Sequence, residues 1–212
     1  MKYKGIIFDL DGVICFTDKY HYQAWKSLAD EIGVYFDEKI NNRLRGVSRM
    51  DSLDIILERS EKKYTEVEKA VFAEKKNALY IRLLEAMTSA DLPKEVKETL
   101  DELRRERMLL AIGSSSKNAK LILAHLGLEG YFDAISDGTN ITNSKPDPEV
   151  FLKAAQFLNL KPEECLVVED AIAGIDAALA GGFASAGLGE AATHTNVTYP
   201  MSKFSELLTV TE

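Results

Sequence analysis

Two aspartates one residue apart, Asp9 and Asp11, stand at the end of the apolar run Gly5 to Phe8. A short apolar run of this kind reads as a buried strand. In extended backbone the i, i+2 spacing puts both carboxylates on one face. Two like charges that close resist ionising together unless a cation or hydrogen bonds compensate. Such a pair suits divided labour: one carboxylate attacks or holds a metal while the other moves a proton. Gly12 lets the chain turn away just beyond them. Taken alone, the same residues also describe an Asp-rich turn, because Asp and Gly are ordinary turn formers.

Three more polar groups follow apolar runs or precede helical patterns. The run over 109–113 ends at Ser114-Ser115-Ser116-Lys117-Asn118, and that over 165–168 ends at Glu169-Asp170. Ser144-Lys145-Pro146-Asp147-Pro148 precedes a helical pattern over 150–158. Asp9, Asp11, Glu169 and Asp170 offer hard oxygen ligands of the kind Mg²⁺ takes. Ser114 and Ser115 offer hydroxyls and backbone N–H groups at a helix N-terminus, a cradle for phosphate. Lys145 adds a point positive charge. These are parts for phosphoryl transfer, where catalysis is mainly positioning and charge stabilisation. Each also has a plain structural use: the serines cap a helix, Lys145 is a solvated loop residue, and Glu169-Asp170 favours a helix start. Their gathering at one edge is what speaks for chemistry, and that depends on the elements carrying them.

Residues 19–87 read as almost all helix. Ala24, Trp25, Leu28, Ala29 and Ile32 recur at helical spacing and Gly33 marks a stop. Leu53, Ile56 and Leu57 repeat the pattern, and Thr65 with Glu68 forms a capping-box signature ahead of a long helix. Beyond Pro93 the pattern alternates: helix over 96–106, strand over 108–113, helix over 119–126, strand over 132–136, helix over 150–158, strand over 165–168, helix over 172–180 and strand over 183–187. Apolar strands alternating with helices imply a parallel sheet covered on both faces. The expected fold is therefore α/β, a Rossmann-like parallel-sheet core with helices on both faces and an inserted all-helical cap domain. The core comprises 1–16 and 89–212, and the cap 17–88. In an open parallel sheet, ligands bind at the carboxyl ends of the strands, where all four polar groups lie.

The motifs Asp9-Leu10-Asp11-Gly12, Ser114, Lys145-Pro146, and Glu169-Asp170 with Gly174 occur in an order and spacing that resemble the haloacid dehalogenase superfamily over the whole chain. The resemblance implies Asp9 as a nucleophile forming an aspartyl-phosphate, and Asp11 as general acid and base. It implies Mg²⁺ held by Asp9, Asp170, the Asp11 backbone carbonyl and, in support, Glu169. It gives Ser114 and Lys145 the transferring phosphoryl group. The second carboxylate, Asp11, marks the phosphoryl-transfer branches, where a leaving sugar oxygen must be protonated. Within the superfamily the chain is most similar to the hexose phosphomutases. That likeness is carried by Thr17, His21 with Ala24-Trp25, Arg45-Gly46-Val47-Ser48-Arg49 with Asp51-Ser52, and Ser116-Lys117-Asn118. It implies interconversion of β-glucose 1-phosphate and glucose 6-phosphate through a 1,6-bisphosphate. Arg49, Ser116, Lys117 and Asn118 would clamp the non-reacting phosphate. Ser52 and Lys76 would approach the sugar, and His21 would couple cap closure to Asp11. Arg45 stands where the family commonly has lysine, which touches sugar specificity, and Ala171 replaces a frequent serine. The alternative is a Mg²⁺-dependent sugar phosphate phosphatase of the same superfamily, which needs only the first phosphate site.

Composition narrows the partners. The 212-residue chain carries a net charge of -8, with 46% hydrophobic and 28% charged residues, which is ordinary for a globular protein. Its basic residues are scattered, without the stripe a nucleic-acid binder carries. No run approaches the ~20 apolar residues of a membrane span. Cys15 and Cys165 are far apart and without CxxC spacing, so they read as reduced thiols. The expectation is a cytosolic monomer acting on a small sugar phosphate.

Overall fold

The apolar run ahead of Asp9 is a strand in the computed structural model, which describes residues 2–211. Strand β1 (Gly5–Phe8) is buried along its length. It lies between β2 (Leu109–Gly113) and β4 (Cys165–Glu169), parallel to both, with Phe8 level with Ile112 and Val168. Outside β2 lies β3 (Ala134–Ser136), and outside β4 lie β5 (Ala184–Gly187) and β6 (Tyr199–Pro200). Every pairing is parallel, in the order β3-β2-β1-β4-β5-β6. The carboxyl ends therefore share one edge. The chain winds outward in opposite directions from β1, which opens a crevice at its carboxyl end.

Alternate residues of each strand feed opposite faces. Ile6 and Phe8 join Leu110, Ile112, Leu166 and Val168 in a layer under α5 (Lys94–Arg105), α6 (Ala119–His125) and α9 (Leu207–Thr211). Ile7 joins Ala111 and Val167 under α7 (Glu149–Phe157) and α8 (Ile172–Ala180). Apolar burial on both faces supplies the main driving force for this half of the molecule.

Between β1 and α5 come α1 (Asp18–Ile32), α2 (Glu38–Asn42), α3 (Arg49–Leu57) and α4 (Glu66–Leu84). The expected signals operate here: Gly33 closes α1 at φ 72°, and Thr65 with Glu68 closes a capping box on α4. Trp25, Leu28, Phe36, Ile40, Leu53, Ile56 and Ala73 form a separate apolar cluster. Tyr20 and Ala24 of α1, with Tyr80 and Leu84 of α4, belong instead to the sheet-side layer. Helices α1 and α4 thus seat the insertion on the sheet.

Boundaries shift by a residue or two from those expected, as frayed ends allow. The stretch over 19–87, expected to be almost all helix, is four helices with non-helical links. One of them, α2, is too short to show a period; Asp37 Oδ1 caps it by accepting the Ile40 N–H at 2.9 Å. Strand β6 and helix α9 lie in the tail beyond residue 187, where two to five residues carry no readable periodicity.

Candidate active site

Asp9 follows β1 directly, and its N–H donates to the Val168 carbonyl at 2.9 Å, which ties it to β4. Asp9, Glu169 and Asp170 each bring a carboxylate oxygen within 4.8 Å of the others. Lys145 Nζ donates to Asp9 Oδ1 and Glu169 Oε1, both at 2.5 Å. Glu169 Oε2 accepts the N–H groups of Asp170 and Ala171, each at 2.9 Å. Two glycines make room: Gly12, at φ +90°, and Gly174, where an added Cβ would run into the Asp170 and Glu169 carboxylates respectively.

Burial pushes the Asp9 carboxyl well above the usual carboxylate range, against the charge of Lys145. Asp170 is pushed up to about 7, first by burial and then by Glu169. Burial works against the charged form of Lys145, but Asp9 and Glu169 outweigh it and hold its pKa above the ordinary lysine value. One ammonium thus faces three carboxylates, and the surplus negative charge is costly where water is scarce. A hard, oxygen-only donor set with surplus negative charge fits a divalent metal ion. The Asp11 side chain is not part of this group.

Asp11 instead faces the insertion. Its Oδ1 accepts the hydroxyl proton of Thr17, and Tyr80 Oη donates to Thr17 Oγ1 at 3.1 Å. His21 stacks on Tyr80 with ring centroids 4.1 Å apart. Its Nδ1 lies 2.8 Å from Lys76 Nζ, and its Nε2 lies 4.0 Å from Asp11 Oδ2. When Lys76 is charged it can only donate, so Nδ1 then accepts and the ring proton sits on Nε2, toward Asp11. Burial, with help from Lys76 and Arg49, lowers His21 well below its usual value and keeps the ring neutral. Burial also raises Asp11, only partly offset by Thr17, which brings it nearer the range of a working acid–base group. Lys76 lies over the Trp25 and Tyr80 rings, each centroid 4.6 Å away, and burial lowers it to about 7.

Beyond β2 the chain turns through a serine loop. Ser114 Oγ accepts the Ser116 N–H at 3.1 Å and Ser116 Oγ accepts the Asn118 N–H at 3.2 Å. Gly138 lets the neighbouring loop come close; a Cβ there would strike the Ser115 carbonyl. Two hydrogen bonds link this loop to the insertion: Ser115 Oγ donates to the Gly46 carbonyl at 3.2 Å, and Asn118 Nδ2 donates to Asn77 Oδ1 at 3.0 Å. Ser48 caps α3 by accepting the Asp51 N–H, so Arg49 begins the helix. The Arg49 side chain is half-buried and donates to Glu74 Oε1 at 3.0 Å. Arg45 pairs with Asp18 at 3.6 Å.

These groups face a cleft of about 1520 Å³. Of the candidate catalytic, metal, phosphate and substrate residues read from the sequence, all line it except Thr17 and Lys145, which lie behind Asp11 and Asp9. Ser52 and Lys117 line it without a side-chain hydrogen bond among the described residues. Glu74, Asn77 and Tyr80 were not anticipated. Tyr80 had a signal, since Ala73, Lys76 and Tyr80 share one helix face by i+3 and i+4 spacing. Glu74 and Asn77 look like solvated helix residues until the partner helix and loop are in place.

The chain belongs to the haloacid dehalogenase-like hydrolase family, whose model matches residues 3–182. Among individual relatives, it is 42% identical over 189 residues to a β-phosphoglucomutase of Bacillus subtilis, covering 88% of this chain and 84% of that protein. It is 34% identical over 181 residues to a fructose-1-phosphate phosphatase of Escherichia coli, covering 85% of this chain and 94% of that one. The crystal structure of a Clostridium difficile β-phosphoglucomutase superposes with a TM-score of 0.88 at 40% identity, over 98% of this chain and 96% of that chain. No helix among the described residues is long and apolar enough to cross a membrane.

Proposed function

We propose that this chain is a β-phosphoglucomutase, interconverting β-D-glucose 1-phosphate and glucose 6-phosphate through β-glucose 1,6-bisphosphate. The observation that carries the proposal is one cleft with cationic groups serving two places: Lys145 behind Asp9, and the half-buried Arg49 of the cap, which lines the cleft together with Ser116–Asn118. A mutase needs both, because its bisphosphate must turn end for end and be held either way. A phosphatase needs only the first.

Phospho-Asp9 gives its phosphoryl group to the free sugar hydroxyl while Asp11 takes the hydroxyl proton. The P–O bond to Asp9 breaks and the bisphosphate forms. After the bisphosphate turns, an Asp9 oxygen attacks the other phosphorus. The bond to the sugar oxygen breaks, and Asp11 returns its proton to that oxygen. Ser114, Ser115 and Lys145 hold the transferring group. Arg49, Ser116, Lys117 and Asn118 hold the remote phosphate. Ser52, Lys76, Arg45 and Gly46 approach the sugar. Thr17 and His21 orient Asp11. Asp9, Asp170, the Asp11 carbonyl and Glu169 suit Mg²⁺, which when bound supplies charge neutralisation at the transferring phosphoryl group.

The proposed cap is 17–88, closing on a core of 1–16 and 89–212 to exclude water. The proposed working form is a monomer. Two buried free thiols, Cys15 and Cys165, support a reducing, cytosolic setting. The test supplies β-glucose 1-phosphate, Mg²⁺ and a trace of β-glucose 1,6-bisphosphate and follows glucose 6-phosphate and free phosphate together. Glucose 6-phosphate with little free phosphate supports the mutase. Phosphate release without isomerisation replaces it with the phosphatase that the Escherichia coli relative brings to mind.

A further inference from the structure

Arg49 is a cation held ready for an anion. Its side chain is only 18% exposed, and one N–H is spoken for, by the Glu74 carboxylate at 3.0 Å. A guanidinium has further donors in a planar fork that matches phosphate. Glu74 is the opposite kind of group: its side chain is 75% exposed and is held by a single hydrogen bond. Ion pairs with such an exposed partner contribute little and exchange readily.

Helix α4 sets the geometry. Glu74 and Asn77 are three residues apart and so are neighbours on its surface. Asn77 reaches across to Asn118, the last residue of the serine loop. Glu74 and Asn77 both border the cleft. A negative carboxylate therefore sits at the remote-phosphate end of the cleft, on the guanidinium expected to take that phosphate.

We propose that Glu74 is an internal competitor for the remote phosphate and sets how strongly the cleft prefers doubly phosphorylated sugars. A phosphate dianion displaces it from Arg49 by offering two oxygens where the carboxylate uses one. A weaker anion, or a sugar with no second phosphate, leaves the pair closed. Glu74 is thus a specificity-determining residue that acts through Arg49. The inference rests on the mutase reading, since only there does a remote phosphate bind.

The test measures affinities by calorimetry in Mg²⁺ for glucose 1,6-bisphosphate and for inorganic phosphate, in the full chain carrying Asp9→Asn so that no phosphoryl group is taken up, with and without Glu74→Gln. The exchange is conservative and lies on an exposed helix position, and an unchanged melting temperature verifies folding. Glu74→Gln is expected to tighten bisphosphate binding about three-fold, the scale of an exposed ion pair, and to move inorganic phosphate less. In an Arg49→Ala background the same change is expected to do nothing. No gain, a loss, or an equal gain without Arg49 overturns the proposal. Asp9→Asn protein with Glu74 intact that binds bisphosphate no better than inorganic phosphate overturns the mutase reading, and Glu74 as competitor with it.

Discussion

Lys145 is the residue on which the ligand-free site depends most. It is buried between Asp9 and Glu169, and it is the charge that lets two buried carboxylates coexist. Removing one partner of a buried pair leaves an uncompensated charge, at a cost of about 3–5 kcal/mol. Lys145→Ala is expected to lose stability on that scale without Mg²⁺, and clearly less with saturating Mg²⁺, as read by urea unfolding in both conditions. An equal loss in the two conditions would count against the carboxylate group as a cation site. Lys76 makes a second residue-scale case. Burial lowers its pKa from 10.5 to about 7. Below about pH 7 both folded and unfolded chains carry the proton, and the full penalty of burying it applies. Between about pH 7 and 10.5 the unfolded chain binds a proton that the folded one does not, so stability rises with pH. Lys76→Met lacks this titration. Its stability advantage over the wild-type protein is expected to shrink from about pH 7 to about pH 10, and a constant difference would refute the shift.

Helix α8 shows how an element serves the site at its own expense. Gly174 sits in it, where glycine is less favourable than alanine by about 1 kcal/mol. An alanine Cβ would meet the Glu169 carboxylate, which also anchors Lys145 and the Asp170 and Ala171 N–H groups. Gly174→Ala is therefore expected to go against helix propensity, losing roughly 1–3 kcal/mol by overpacking and more than ten-fold in turnover. A stabilised, fully active variant would show that Glu169 has slack. At this scale the sequence was readable where an element is long or ends in charge. Apolar runs closing on Asp9, Ser114 and Glu169 announced the strands and the polar residues at their carboxyl ends. Thr65 with Glu68 announced α4. Helix α2 and strand β6 were invisible because neither completes a period. The Arg49–Glu74 and Asn77–Asn118 pairs were invisible for a different reason: they depend on how separate elements meet, which no local pattern encodes.

For the whole molecule, two hydrogen bonds from the serine loop, to Gly46 and Asn77, bridge the cleft away from the Thr17–Asp11 bond. Each contributes about 1 kcal/mol, small enough to open and close in a catalytic cycle. Asn77→Ala is expected to enlarge the radius of gyration of the ligand-free protein in solution scattering while leaving the sugar-phosphate-saturated protein unchanged. An identical ligand-free radius would mean that apolar packing of α1 and α4 alone holds the two parts together. The sheet itself has a different bearing on the molecule's fate. Its outer strands are β3, of three residues, and β6, of two, and β6 ends in Pro200, whose nitrogen has no hydrogen to donate. A foreign strand arriving at either margin finds too few unpaired backbone groups to extend the ladder. The same brevity that hid β6 from the sequence therefore guards the protein against amyloid-like self-assembly at high concentration.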